Sequence, residues 1–318
     1  MFQSRLLLTL AVGHLMVLGT VHASPSCRAH LGFRNHYYIC GNFKSASDFA
    51  LIERSRMPRD AYFILKDSTL DHLPSTAFSG TTISVLEFKN VSVNTYGDPE
   101  ENAPSPFEAI SSTLRRLIFT RQPKAVESWS LLHCLKKLES LRVENVERVN
   151  LTSDFNKLPL TITEIRIEGS SVKTVDPEWL SQLHGLRSVT VRGTNISNIT
   201  RSMLPRPAPK LRQLDVSENE LTSLPEDLTA DMPSLRTLDI SHNKISTLCQ
   251  STLEPVRING GIVHMTGNPL RCDCRLAFLL TYPRKWNHYL CAYPAALATK
   301  SMRSLKRADL CGGTRRSV

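Results

Sequence analysis

Beyond its first 23 residues this 318-residue chain has no apolar run approaching the roughly 20 residues that a membrane-spanning helix needs, so no membrane span is expected. It has no Gly-x-Ser-x-Gly nucleophile elbow, no His-Glu-x-x-His and no Gly-rich phosphate loop, which removes the best-defined hydrolase, metalloprotease and nucleotide-dependent chemistries. Serine, histidine and aspartate occur in no catalytic constellation, so neither an enzyme activity nor a cofactor is expected. Acidic residues are scarce at one end: residues 271–318 hold two Asp against ten Lys and Arg, a net of +8 where the whole chain carries +10. Such a region is either a solvated face or one that attracts polyanions, sulfated glycans or an acidic partner surface among them.

What is present at the start is a basic residue, Arg5, an apolar run over residues 6–20 interrupted by His14, and the small-residue end Val21-His22-Ala23. This reads as a signal peptide over residues 1–23, too short to span, with the mature chain starting at Ser24. The final Arg315-Arg316-Ser317-Val318 is not the hydrophobic tail of a lipid-anchor signal. The reading is of a soluble, secreted protein with extracellular partners and no nucleic acid among them. In that compartment the eight cysteines are expected to form disulfides rather than to ligate metal, Cys272-x-Cys274 included.

Internal repetition sets the fold. Leu211-Arg212-Gln213-Leu214-Asp215-Val216-Ser217-Glu218-Asn219-Glu220-Leu221 is followed by Leu235-Arg236-Thr237-Leu238-Asp239-Ile240-Ser241-His242-Asn243-Lys244-Ile245, both matching L-x-x-L-x-L-x-x-N-x-L. That pattern is the signature of the leucine-rich repeat. Weaker copies emerge from the apolar-x-apolar pair opening each strand: Phe63/Leu65, Leu86/Phe88, Leu117/Phe119, Leu141/Val143, Ile165/Ile167, Val189/Val191, Leu214/Val216, Leu238/Ile240 and Val263/Met265. They recur every 23 to 25 residues except for one step of 31, which holds Gly97-Asp98-Pro99-Glu100-Glu101-Asn102-Ala103-Pro104, a surface insertion by composition. Each pair points inward while the residue between points out, and each turn is too small to bury its own leucines, so turns must stack. The fold class is therefore an α/β solenoid: a leucine-rich-repeat horseshoe of about nine turns with a curved parallel sheet, short helices or loops on its convex side and disulfide caps at both ends. The divisions read as an N-terminal cap over 24–60, repeats over 61–267, a cysteine-rich cap over 268–311 and a flexible basic tail over 312–318.

The buried polar position of the repeat reads Ser68, Val91, Gln122, Val146, Ser170, Thr194, Asn219, Asn243 and Asn268. Valine cannot replace the amide's hydrogen bonds, so the N-terminal half is expected to be the more irregular and less stable half. Cys27 and Cys40, with Tyr37-Tyr38-Ile39 before the second, are expected to close the N-terminal cap. Cys134 and Cys249 lie about five turns apart, on the order of 24 Å at the strand spacing, too far for a mutual disulfide. They are either quiet thiols or one links to a partner chain.

Asn268-Pro269-Leu270-Arg271-Cys272-Asp273-Cys274, with Cys291 and Cys311 beyond, resembles the C-terminal flanking domain of extracellular leucine-rich-repeat proteins. The resemblance implies pairing of Cys272 with Cys291 and of Cys274 with Cys311. The mature chain as a whole resembles secreted arthropod leucine-rich-repeat proteins related to the non-catalytic subunit of oplophorus-luciferin 2-monooxygenase. That impression is carried by the Cys27 and Cys40 cap, by Asp71-His72-Leu73-Pro74-Ser75-Thr76-Ala77-Phe78 and by the closing cysteine cap. It implies an accessory subunit or binding protein, with any luciferase activity on a catalytic partner subunit.

The concave face is the default binding surface of a solenoid. Arg142, Arg166, Asp215 and Asp239 occupy the outward strand positions, and Arg187, Arg212 and Arg236 are expected to stack as a basic column beside the two aspartates. The functional reading is a charged strip for an extracellular protein ligand; the plain one is that these charges neutralise each other across strands. A second surface is the basic cap, Arg271, Arg275, Arg284, Lys285, Arg303, Lys306 and Arg307, which would make the protein a glycan-binding or matrix component. Four glycosylation sequons begin at Asn90, Asn150, Asn195 and Asn198.

Overall fold

The computed structural model describes residues 23–31, 36–98, 104–286 and 288–312. Residues 1–22 of the expected leader, residues 99–103 of the insertion and residues 313–318 of the expected tail lie outside the described residues. The strands are β1 (Ser26–Leu31), β2 (His36–Gly41), β3 (Ala61–Leu73), β4 (Ile83–Tyr96), β5 (Arg116–Thr120), β6 (Ser140–Glu144), β7 (Val149–Leu151), β8 (Glu164–Glu168), β9 (Val172–Val175), β10 (Ser188–Arg192), β11 (Gln213–Asp215), β12 (Thr237–Asp239) and β13 (Ile262–His264). Two α-helices, α1 (Gln250–Ile258) and α2 (Arg307–Cys311), and several 3-10 turns complete the described chain.

Eleven strands form one curved sheet in the order β1-β2-β3-β4-β5-β6-β8-β10-β11-β12-β13, while β7 and β9 make a separate pair behind it. β1 and β2 are antiparallel; from β2 onward every neighbour is parallel. The register follows the apolar pairs without a slip, Leu117 facing Leu141, Leu141 facing Ile165 and Ile165 facing Val189. All eighteen residues of the nine pairs are at most 3 % exposed, which makes their column the core of the solenoid.

A second periodicity lies in the backbone. The residue before the buried polar position is left-handed in every turn: Asp67, Asn90, Arg121, Asn145, Gly169, Gly193, Glu218, His242 and Gly267 have φ between 48° and 73°. A left-handed residue turns the chain through a corner, inside the long strands β3 and β4 and beyond the strand in the other turns, and drives the next side chain inward. Six of the nine are Gly, Asn or Asp, the types that tolerate this conformation best.

The turns are joined differently in the two halves. In the C-terminal half Asn243 Nδ2 donates to the carbonyls of Val216, Ile240 and Ser241 while its Oδ1 accepts from the Leu221 N–H. Asn219 and Asn268 bond in the same manner. In the N-terminal half the β3–β4 pairing shifts register between Ala61 and Tyr62, as the expected irregularity implies, and other contacts take the place of the amide. At Val91 the strands simply run on, β3 and β4 staying paired from Ser68 and Val91 to Leu73 and Tyr96, so backbone bonds replace the missing amide. At Val146 the N–H donates to Ser170 Oγ of the next turn. An unbroken series of ring contacts, from Phe43 through Phe49, Phe78, Phe88, Phe119, Trp129 and Phe155 to Trp179, also crosses this half with centroids 4.4 to 6.5 Å apart.

Disulfides close both ends. Cys27 bonds Cys40 across the β1–β2 pair, and Cys272 bonds Cys291 while Cys274 bonds Cys311 in the C-terminal cap. Buried Trp286 anchors that cap to the last turn, its indole N–H donating to the Gly261 carbonyl at 3.2 Å. Cys134, buried, and Cys249, half-buried, are free thiols. Burial pushes both pKa values up, with Glu226 adding to the effect at Cys249, which leaves less thiolate at neutral pH.

Candidate binding surface

Each strand presents up to three side chains to the concave side, one before, one between and one after the inward pair. In the middle of the sheet these are charged and tied together. Arg142 Nη2 lies 3.2 Å from Glu164, Arg166 Nε lies 3.4 Å from the same carboxylate, and Arg166 Nη1 lies 2.9 Å from Glu168. Ser140 Oγ donates to Glu164 at 2.8 Å. Burial alone would raise the Glu164 pKa, but the Ser140 bond and the two guanidiniums outweigh it and hold the carboxyl below its usual range. Glu144 is in the opposite state: partial burial and the charge of Glu168, its register neighbour, push its pKa up. Toward the N-terminal end the Tyr62 hydroxyl donates to Glu87 at 2.6 Å, and the Tyr62 ring packs 5.0 Å from that of Tyr37.

Arg142 and Arg166 thus stand in one lattice with Glu164 and Glu168. Sequence reasoning followed the central strand position and missed Glu144, Glu164 and Glu168; taking the residues flanking each inward pair as outward-facing too would have found them. Arg187, Arg212 and Arg236 do form a column, each one's backbone N–H donating to the carbonyl one turn back, Arg212 to Arg187 and Arg236 to Arg212 at 2.8 Å. All three are exposed and, among the described residues, none is ion-paired. The structure does not join them to the aspartates: Asp215 accepts from Ser217 and Asp239 from Ser241, each two residues further along its own turn.

In the cap, Arg271 and Arg275 both pair with Asp273, at 3.2 and 2.9 Å. Arg284, Arg303, Lys306 and Arg307 line one concavity, and Lys285 is exposed outside it. The four sequon asparagines are exposed, Asn90 at the left-handed corner within β4, Asn150 in β7, and Asn195 and Asn198 in the connection between β10 and β11. Among the described residues no group of His, Cys, Asp and Glu is arranged to hold a metal ion, and no helix is long and apolar enough to cross a membrane.

The leucine-rich-repeat family model matches residues 209–255, the two cleanest turns. No curated protein matches the chain. Among solved structures, a chain of the octameric complex of Latrophilin 3, Unc5D and FLRT2 superposes with a TM-score of 0.55 at 17 % identity, over 77 % of this chain and 81 % of that one. The leucine-rich-repeat component named in that complex is FLRT2. At this identity the likeness is one of fold: the chain is a leucine-rich-repeat solenoid.

Proposed function

We propose that this chain is a secreted binding protein that docks an extracellular protein partner on its concave face and has no catalysis of its own. The observation that carries the reading is the lattice of Arg142, Glu164, Arg166 and Glu168, partly buried and fixed on adjacent strands of one rigid sheet. Charges held in place before a partner arrives give specificity at little ordering cost. The exposed column of Arg187, Arg212 and Arg236 extends the same surface with cations left open to a partner's carboxylates. Disulfides at both ends support an oxidising compartment. The solved neighbour sits in a protein complex, which supports a protein ligand. A catalytic partner subunit, as the arthropod resemblance implies, is the narrower form of this reading.

The test is capture of partners from the protein's own extracellular fluid with the tagged chain, beside Arg142→Gln/Arg166→Gln and the surface variant Arg187→Glu/Arg212→Glu. A defined protein retained in high salt by the wild type and lost by both variants is expected. Equal retention by all three forms would remove the concave face as the docking site.

A further inference from the structure

The seven cap cations singled out above look alike in sequence, and the fold sorts them. Arg271 and Arg275 share the single carboxylate of Asp273, which leaves that trio with one net positive charge. Arg284, Arg303, Lys306 and Arg307 converge instead on a concavity of about 710 Å³ that, among the described residues, no carboxylate lines. Its floor is apolar, with Met302 and Leu305 buried beneath the cations and Leu280 beside them. Arg303 is held in place, its guanidinium donating to the Arg284 carbonyl at 3.3 Å and to the His288 ring nitrogen Nε2. The Cys274–Cys311 disulfide ties together the two walls, the 3-10 stretch Cys274–Thr281 that carries Leu280 and the helix α2 that begins with Arg307.

We propose that this concavity is a binding site for a sulfated glycan, distinct from the concave face and sharing with the preceding reading only its extracellular placement. Among the described residues the carboxylate nearest in sequence, Asp309, bonds the Lys306 backbone N–H at 2.7 Å and does not line the space, so four cations facing it repel one another. An anionic ligand relieves it. The volume is that of a site for an extended molecule rather than a single inorganic ion, and the apolar floor suits the C–H faces of sugar rings while the rim holds sulfates. Disulfides frame the site, and in an oxidising compartment the abundant polyanion is sulfated polysaccharide rather than nucleic acid.

The experiment measures binding of a heparin octasaccharide to the full secreted chain at about 0.15 M salt. Two charge-matched pairs are compared: Lys306→Gln/Arg307→Gln, both exposed and in the site, and Arg271→Gln/Arg275→Gln, both exposed and outside it. The first is expected to weaken binding about 10-fold or more and the second by less than about 3-fold, because Asp273 already offsets half of the second pair's charge and that pair lies outside the concavity. Arg187→Glu/Arg212→Glu is expected to leave octasaccharide affinity unchanged, so failure of the concave-face reading does not touch this one. Equal losses from both cap pairs would overturn the proposal by making the attraction a matter of net charge. So would equal affinity for the desulfated octasaccharide, no wild-type binding, or binding to mixed phosphatidylcholine and phosphatidylserine vesicles in place of the octasaccharide.

Discussion

At the residue scale the fold rests on one side chain per turn that is buried and polar. Asn243 makes three donor bonds and one acceptor bond while almost fully buried, so removing it leaves several backbone groups without partners at once. Each such group costs on the order of 1–3 kcal/mol when left unmade in the interior. Asn243→Ala is therefore expected to destabilise the chain by about 2–4 kcal/mol and to speed exchange of the Leu221 amide; a denaturant titration and amide exchange at that residue read the two effects. This position was legible in the sequence because asparagine recurs there in three consecutive turns. The left-handed corner beside it was not, because Arg121, Glu218 and His242 occupy it alongside Gly, Asn and Asp, and no residue type marks the conformation when the tertiary fold imposes it.

At the scale of the strand, parallel register decides which charges meet. It sets Arg142 within reach of Glu164 and Glu144 beside Glu168, while Arg166 meets Glu164 and Glu168 along β8 itself. Glu164, whose pKa the fold lowers, contributes stability that is present above its unfolded value and lost as pH falls through its depressed pKa. Glu144, whose pKa the fold raises, costs stability when ionised, and that cost disappears as pH falls through its raised pKa. Glu144→Gln is thus expected to raise the thermal midpoint at neutral pH and to lose that advantage on acidification, whereas Glu164→Gln lowers the midpoint at neutral pH. Thermal scans across the acidic range check both signs; a Glu144→Gln midpoint below wild type at neutral pH would refute the arrangement. The inward pairs, with period two and a spacing of 23 to 25 residues, were readable at this scale. The Arg142–Glu164 pair and the Glu144–Glu168 juxtaposition were not, because they need the cross-strand neighbour, and a single strand does not say who that is. The sorting of the cap's cations was hidden for the same reason, since Asp273 claims two that stand close to it in sequence and leaves four that only the fold gathers.

At the scale of the whole molecule, two modes of turn-to-turn coupling meet near the middle. The repeat pattern alone ranks the asparagine-bearing half as the stronger, because a missing amide is a missing set of bonds. Strand length and ring packing argue for the opposite ranking. β3 and β4 are 13 and 14 residues long and paired along nearly all of that length, whereas β11, β12 and β13 are three residues each. Long paired strands shield backbone amides directly, and the aromatic series beneath them adds ring contacts of about 0.5–1.5 kcal/mol apiece beyond the area they bury. In a solenoid each turn gains stability from its neighbours, so opening starts where those interfaces are thinnest and spreads one turn at a time. Amide exchange followed region by region is therefore expected to be slowest across β3 to β6. It is expected to be faster at β11 and β12, with β13 held by the disulfide cap packed against it through Trp286. Slower exchange at β11 and β12 than at β3 and β4 would mean that the asparagine bonds outweigh strand length and ring packing, and would restore the order that the repeat pattern alone implies.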